Sequence, residues 1–168
     1  MRSKVMISDD EQKVYDALGQ LGIEFERHEH PPVYTVDETA RYWKEIPGVH
    51  CKNLFMKNQK GKTHYLIVMK DSKKVDFKAM AGVVGEKLSF ASEQRLEKYL
   101  GLKTGAVSPF GLINDAGHEV KVVIDTDLKA AKKINFHPNV NTATVTVSLE
   151  DFEKFLSSCG NSVQYVRI

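Results

Sequence analysis

The sequence predicts an α+β domain, a mixed and largely antiparallel sheet with helices packed against it, and three observations lead there. Strand-like and helix-like patterns are interspersed from end to end without a strict βαβ rhythm. Hydrophobic residues make up 42% of the 168 residues and charged residues 27%, the balance of a chain that buries an ordinary core. Neither an internal repeat nor a linker interrupts the pattern, so a single domain over residues 1–168 is expected.

Ser8, Asp9 and Asp10 precede Val14, Leu18 and Leu21 at helical spacing, and Gly22 follows the last apolar position, which predicts a capped amphipathic helix. Ile23, Phe25 and Arg27 then share one strand face and Glu24, Glu26 and His28 the other, until Pro31 and Pro32 end regular pairing. Thr35 and Glu38 form a capping box at the head of a second helix, which runs through Trp43 and stops before Pro47.

The segments His50 to Lys57 and Lys62 to Lys70 alternate like strands about turn residues Asn58 to Gly61, a hairpin. Tyr65 to Met69 is apolar on both faces, which places the second strand centrally. Asp76 caps a helix through Met80, and Ser92 caps another through Leu100 that Gly101 ends. Lys103 to Asn114, with Gly105, Pro109 and Gly111, reads as a long loop of the kind that more often carries function than idles. The rest reads strand (Val120 to Asp125), short helix (Leu128 to Lys132), strand (Thr142 to Ser148), helix (Leu149 to Ser158, behind a Ser148 and Asp151 capping box) and strand (Val163 to Ile168).

Composition narrows the function classes. The longest apolar stretch is far shorter than the ~20 residues of a membrane span, so no membrane partner is expected. No apolar run of signal-peptide length precedes Asp9, Asp10 and Glu11, which makes a cytoplasmic address the expectation. Cys51 and Cys159 lie far apart without metal or redox spacing and are expected to be reduced thiols. A net charge of +2 is too small to diagnose nucleic-acid binding.

Three stretches can carry chemistry. In Cys51 to Lys57, strand alternation points Lys52, Leu54 and Met56 one way and Cys51, Asn53 and Phe55 the other. A lysine on an apolar face needs an acceptor or an anion, or else snorkels to water, and the pattern fits either reading. In Gly105 to Gly111, small residues let backbone amides approach a ligand while Pro109 fixes the shape, an arrangement suited to holding a carbonyl or carboxylate oxygen; the same composition suits a plain turn. In Asn135 to Thr144, His137 and its Asn and Thr neighbours offer neutral hydrogen bonds, or a structural histidine beside a turn.

Other signals are weaker. His28 and His30 lack a third ligand at metal spacing, so neither a metal nor another cofactor is assigned. Cys51 faces away from Lys52 without a Cys/His signature, which fits a small buried residue better than a nucleophile. Lys57, Lys60, Lys62, Lys70, Lys73 and Lys74 put positive charge at the hairpin ends, suited to phosphates or to a solvated surface.

His30-Pro-Pro-Val-Tyr-Thr-Val, Cys51-Lys52-Asn53-Leu-Phe, Val75-Asp76-Phe77-Lys78, Gly105-Ala106-Val107-Ser108-Pro109 and His137-Pro138 followed by Asn141-Thr142-Ala143-Thr144 stand in one order across most of the chain. On these motifs the chain resembles the prolyl-tRNA editing superfamily, the YbaK/ProX type of aminoacyl-tRNA deacylase, and within it the freestanding alanyl-tRNA(Pro) deacylases. The resemblance implies a trans-editing hydrolase in which water attacks the ester joining a small amino acid to the tRNA acceptor end. Prolyl-tRNA synthetase would be its further partner, and alternatives are cysteinyl-tRNA(Pro) or seryl-tRNA as substrate, or a non-catalytic amino-acid or tRNA-binding protein of the same fold. It implies catalytic roles for Lys52 and Asn53 and substrate contacts from His30, Gly105, Ala106, Ser108, Pro109, His137 and Thr142. Lys52 is then expected to project into a cavity walled by the two later segments, with Val33, Tyr34 and the Gly105 loop limiting substrate size.

Overall fold

A computed structural model describes residues 7–32 and 36–168. Val33, Tyr34 and Thr35, and with Thr35 the expected capping box, lie outside the described residues. Helix α1 (Asp9–Gln20) begins where the Ser8 hydroxyl accepts from the Glu11 amide, and it buries Val14 and Leu18. The chain continues through β1 (Glu26–Glu29), α2 (Val36–Trp43), β2 (Val49–Asn58) and β3 (His64–Lys70). After the hairpin come α3 (Phe77–Val84), β4 (Leu88–Phe90), α4 (Glu93–Leu100), β5 (Val120–Asp125), β6 (Lys133–Phe136), β7 (Ala143–Ser148), α5 (Leu149–Cys159) and β8 (Val163–Val166).

The expected α+β architecture is present. The eight strands form one sheet in the order β1-β7-β6-β2-β3-β5-β8, with β4 also paired to β2. Antiparallel pairing joins β1 to β7, β6 to β7, and β2 to both β3 and β4, whereas β5 and β8 run parallel beyond β3 and β6 runs parallel to β2. As expected, β3 lies centrally, and Tyr65 to Met69 are all buried. Leu66 and Val68 enter a large core with α1, α4, α5 and Phe110, while Tyr65, Ile67 and Met69 enter a smaller one with Met80 of α3.

Several local expectations need correction. Strand β1 starts only at Glu26, leaving Ile23 to pack in the core outside it. The Lys103 to Asn114 loop closes with a 3-10 turn, Pro109–Asn114, and the short helix expected at Leu128 to Lys132 is a 3-10 turn at Thr126–Ala130. Two strands, β4 and β6, carry no sequence signal that periodicity could find: with three and four residues they are too short to show a period.

Phe110 fastens the Gly105 loop to the core. Its ring is fully buried and meets Phe136 and Phe155 edge-on at 5.9 and 5.1 Å. Gly111 beside it admits no side chain, since an added Cβ would lie 2.7 Å from Leu102 Cδ1. Phe110→Ala should therefore cost ~3–5 kcal/mol in denaturant unfolding; a loss below ~1 kcal/mol would show that the loop is not anchored through this ring.

Candidate active site

The outer edge of β2 is covered at both ends and open in the middle. Strand β6 pairs with Val49 and His50, β4 with Met56 to Asn58, and β3 takes the other edge throughout. The His50 carbonyl accepts from Asp71 and the Asn58 amide donates to Thr63, so even-numbered residues bond toward the hairpin partner. The Phe55 carbonyl accepts from Ala91 on the outer edge, which assigns odd-numbered residues to that side. Asn53 therefore presents its backbone N–H and C=O to the gap between β6 and β4.

A cavity of about 210 Å³ opens at this gap, lined by Asn53, Leu54, Phe90, Ser92, Thr104 and Val107 among others. Two larger concavities, of about 320 and 280 Å³, include none of the residues expected in the site: one lies between α1, α5 and the segment around His118, the other beside β1 and β7.

The side chains of Lys52 and Asn53 leave β2 on opposite faces. The Asn53 amide donates to the Val107 carbonyl at 3.3 Å, and its own Oδ1 is buried without a partner among the described residues. The Lys52 ammonium donates to the Lys73 carbonyl, on the face of the smaller core. The acceptor that an apolar face demands of this lysine is thus present, but it comes from the segment after the hairpin. The expectation that Lys52 projects between the two later segments needs correction: strand alternation delivers Asn53 there instead.

Those two segments do meet. Asn139 donates through Nδ2 to the Phe110 carbonyl at 3.3 Å, and Asn141 Nδ2 lies 3.8 Å from where a Gly105 side chain would begin. Gly105 has φ +91°, a conformation that a side chain would strain. Ala106 is buried and its amide donates to the Lys103 carbonyl. The amides of Gly105, Val107 and Ser108 have no hydrogen-bond partner among the described residues. The fully buried Ser108 hydroxyl is engaged in accepting from the Phe110 amide, with Pro109 next in the turn, so the pair shapes the loop.

His30 and His137 lie side by side, their ring centroids 6.1 Å apart. His30 Nδ1 lies 2.9 Å from the Pro31 carbonyl, which can only accept, so the proton sits on Nδ1 and Nε2 accepts from the Thr144 hydroxyl at 2.9 Å. The His30 amide donates to the Thr142 carbonyl, which ties these two expected residues together. By the same reasoning His137 donates from Nδ1 to the Ala143 carbonyl at 3.0 Å, leaving Nε2 an acceptor. Burial holds the His137 imidazole below the ordinary histidine range, so it is neutral at pH 7.

Sequence reasoning missed Trp43, which stacks on His50 at 4.4 Å and faces His137 at 6.3 Å. Trp43 Nε1 and His50 Nδ1 are buried without partners among the described residues. The composition did offer a signal: this is the one tryptophan in the chain, two turns after the His30 motif. Cys51 is buried and its thiol is pushed up by desolvation, so it is no nucleophile. Both cysteines are free thiols, and no group of three His, Cys, Asp or Glu among the described residues is placed to hold a metal ion.

The Gly105 loop thus meets Asn53 at the sheet edge and the Asn139 to Asn141 segment behind it, and the comparisons name the class of protein. The aminoacyl-tRNA editing domain model matches residues 30–155, and the chain belongs to that family and is an aminoacyl-tRNA deacylase. It is 43% identical over 164 residues to the prolyl-tRNA editing protein ProX of Acetoanaerobium sticklandii, covering 97% of this chain and 100% of that protein. It is 34% identical over 149 residues to the prolyl-tRNA synthetase associated domain-containing protein 1 of Mus musculus, covering 86% and 88%. Among solved structures, one described as a candidate trans-editing enzyme for prolyl tRNA synthetase superposes with a TM-score of 0.72 at 20% identity, over 97% of this chain and 99% of that one.

Burial also holds His50 below the ordinary histidine range, whereas an unfolded histidine titrates near ~6.5. The unfolded chain thus binds protons first on acidification, so stability is full above pH ~6.5 and is lost as pH falls through the lower folded values. The thermal midpoint, followed by Trp43 fluorescence, should fall between pH 7.5 and pH 5.5, and less so in His137→Gln. Equal pH dependence in the two proteins would show that His137 does not titrate with unfolding.

Proposed function

We propose that this deacylase removes a small amino acid, alanine foremost, from mischarged tRNA(Pro), working in the cytoplasm beside prolyl-tRNA synthetase. The observation that carries the reading is the juxtaposition at the open edge of β2: Asn53 on the Val107 carbonyl, the Gly105 to Ser108 loop with its unpaired amides, and the segment of Asn139 and Asn141 that meets this loop. Water attacks the ester carbonyl carbon, the loop amides hold the resulting oxyanion, and the bond to the ribose oxygen breaks with a proton passing to that oxygen. Free amino acid and intact tRNA leave. The neutral His137 Nε2 and the Asn53 Oδ1 are acceptors for the substrate's ammonium and hydroxyl hydrogens. Lys52, which donates to the Lys73 carbonyl on the other face of β2, supplies the positive charge that meets the acceptor-end phosphate.

Size selection gives such an enzyme its reason to exist. A synthetase pocket that fits proline rejects alanine weakly, because a missing methylene is worth only ~1–3 kcal/mol, and a second, smaller sieve must clear the error. A cavity of about 210 Å³ under Asn53 and Val107 suits a small side chain. The similarity to ProX, a prolyl-tRNA editing protein by name, supports tRNA(Pro) as the carrier.

Hydrolysis of alanyl-, cysteinyl-, seryl- and prolyl-tRNA(Pro) should show the alanyl ester cleared fastest and the prolyl ester spared. Preference for cysteinyl or seryl ester would transfer the assignment, and no turnover on any would favour a binding protein. Lys52→Ala should lower kcat/KM on alanyl-tRNA(Pro) by roughly a hundredfold, the scale of losing one charge-stabilising donor. Wild-type rates in that variant would remove Lys52 from the mechanism.

A further inference from the structure

The Val75-Asp76-Phe77-Lys78 motif has no part in the chemistry above, yet it places an aromatic ring beside the cavity. Phe77 and Phe90 are the two most exposed large hydrophobic side chains among the described residues, at 44% and 55% of full exposure. Their rings meet edge-on at 5.6 Å and 82°, so each keeps a face open. Phe90 stands opposite Met56 on the short strand β4 and also lines the Asn53 cavity. Leu88, two residues earlier on the same side, is buried in the smaller core, as is Met80 of α3, so the pair sits on two anchored elements.

Charge around the pair is of both signs. Lys74 and Lys78 flank Phe77, Lys87 precedes Phe90, and all three are exposed. Three acids lie nearby and stay charged, but each is held by neutral donors: Asp76 accepts from the Ala79 amide as the cap of α3, Glu86 accepts from Tyr65 and Asn58, and Glu93 accepts from the Thr104 hydroxyl, whereas the three lysine side chains have no carboxylate partner among the described residues. Along β2 the platform begins about 10 Å from Asn53, three residues of strand.

We propose that Phe77 and Phe90 form a stacking platform for the unpaired bases immediately upstream of the esterified ribose, with Lys74, Lys78 and Lys87 meeting the phosphates between them. The proposal rests on the editing reading for the identity of the RNA. An exposed aromatic pair continuous with a cavity, with three exposed lysines in the same segments, suits a single strand because every base has a π face and every linkage a negative charge. The backbone geometry of β2 then directs the strand's end to the gap beside Asn53.

The test compares kcat/KM on alanyl-tRNA(Pro) with that on the alanyl ester of adenosine, which lacks the upstream nucleotides, alongside the anisotropy-measured Kd of uncharged tRNA(Pro). Phe90→Ala should reduce the preference for tRNA over the short ester about tenfold and weaken tRNA binding comparably, the scale of one lost base stack. Phe90→Trp should restore both, Phe77→Ala should act in the same direction, and Phe90→Leu, which keeps apolar volume without a π face, should resemble the alanine variant if that one fails to fold. An unchanged preference, an equal loss on both substrates, or a wild-type dimer that Phe90→Ala splits would each overturn the platform. A wild type that turns over no aminoacyl ester would refute the enzymatic reading instead, and its tRNA affinity would still decide the platform.

Discussion

Consecutive residues of a strand cannot face the same way, and at the open edge of β2 that constraint divides the site in two. Lys52 goes to the face of the smaller core and Asn53 to the face where the Gly105 loop lies. Because β6 leaves off at His50 and β4 takes up only at Met56, the stretch between them belongs to neither neighbour. A substrate seated against that edge has one wall on each side of the sheet. Unpaired strand edges are usually covered or charged in folded proteins, and here the Val107 carbonyl closes part of the gap through the Asn53 amide.

The Lys52 side depends on a second lysine. Lys73 forms ion pairs with the fully buried Asp125 at 2.5 Å and with Asp127 at 2.6 Å, and donates to the Ile168 carbonyl at 3.0 Å. Burial opposes its charge, but the two carboxylates hold the ammonium above the ordinary lysine range. Fixing that side chain fixes the backbone whose carbonyl receives Lys52. A buried carboxylate without its partner would be strongly unfavourable, so β5, the post-hairpin segment and the last residue of the chain are tied together at one point.

The other side is built from imidazoles and backbone amides. His30 and His137 each use Nδ1 on a carbonyl, which assigns their tautomers, and desolvation keeps His137 and His50 uncharged. Neutral imidazoles beside free amides can accept hydrogen bonds from an ammonium-bearing substrate without competing for an oxyanion. The Gly105 loop is fixed by Ser108 capping its turn, Asn139 on the Phe110 carbonyl, and the Phe110 ring in the core. Preorganisation of that sort is what makes backbone donors effective.

By itself the sequence determined what is local. Ser8, Asp76, Ser92 and Ser148 begin their helices as their spacing indicated, Gly101 ends one, and Tyr65 to Met69 declares a strand buried on both faces, because caps and hydrophobic period act over a few residues. The stretches around Lys52, Gly105 and His137 stood out as candidates for the same reason, each with a plain structural reading beside the chemical one. Only the tertiary structure decided which of them meet. Strands as short as β4 and β6 form because β2 and β7 offer partners, not because three or four residues carry a pattern. Trp43 reaches His137 and Asn53 reaches Val107 across long stretches of chain, and whether Lys52 or Asn53 faces the Gly105 loop depends on which side of the sheet that loop crosses, a choice no local periodicity encodes.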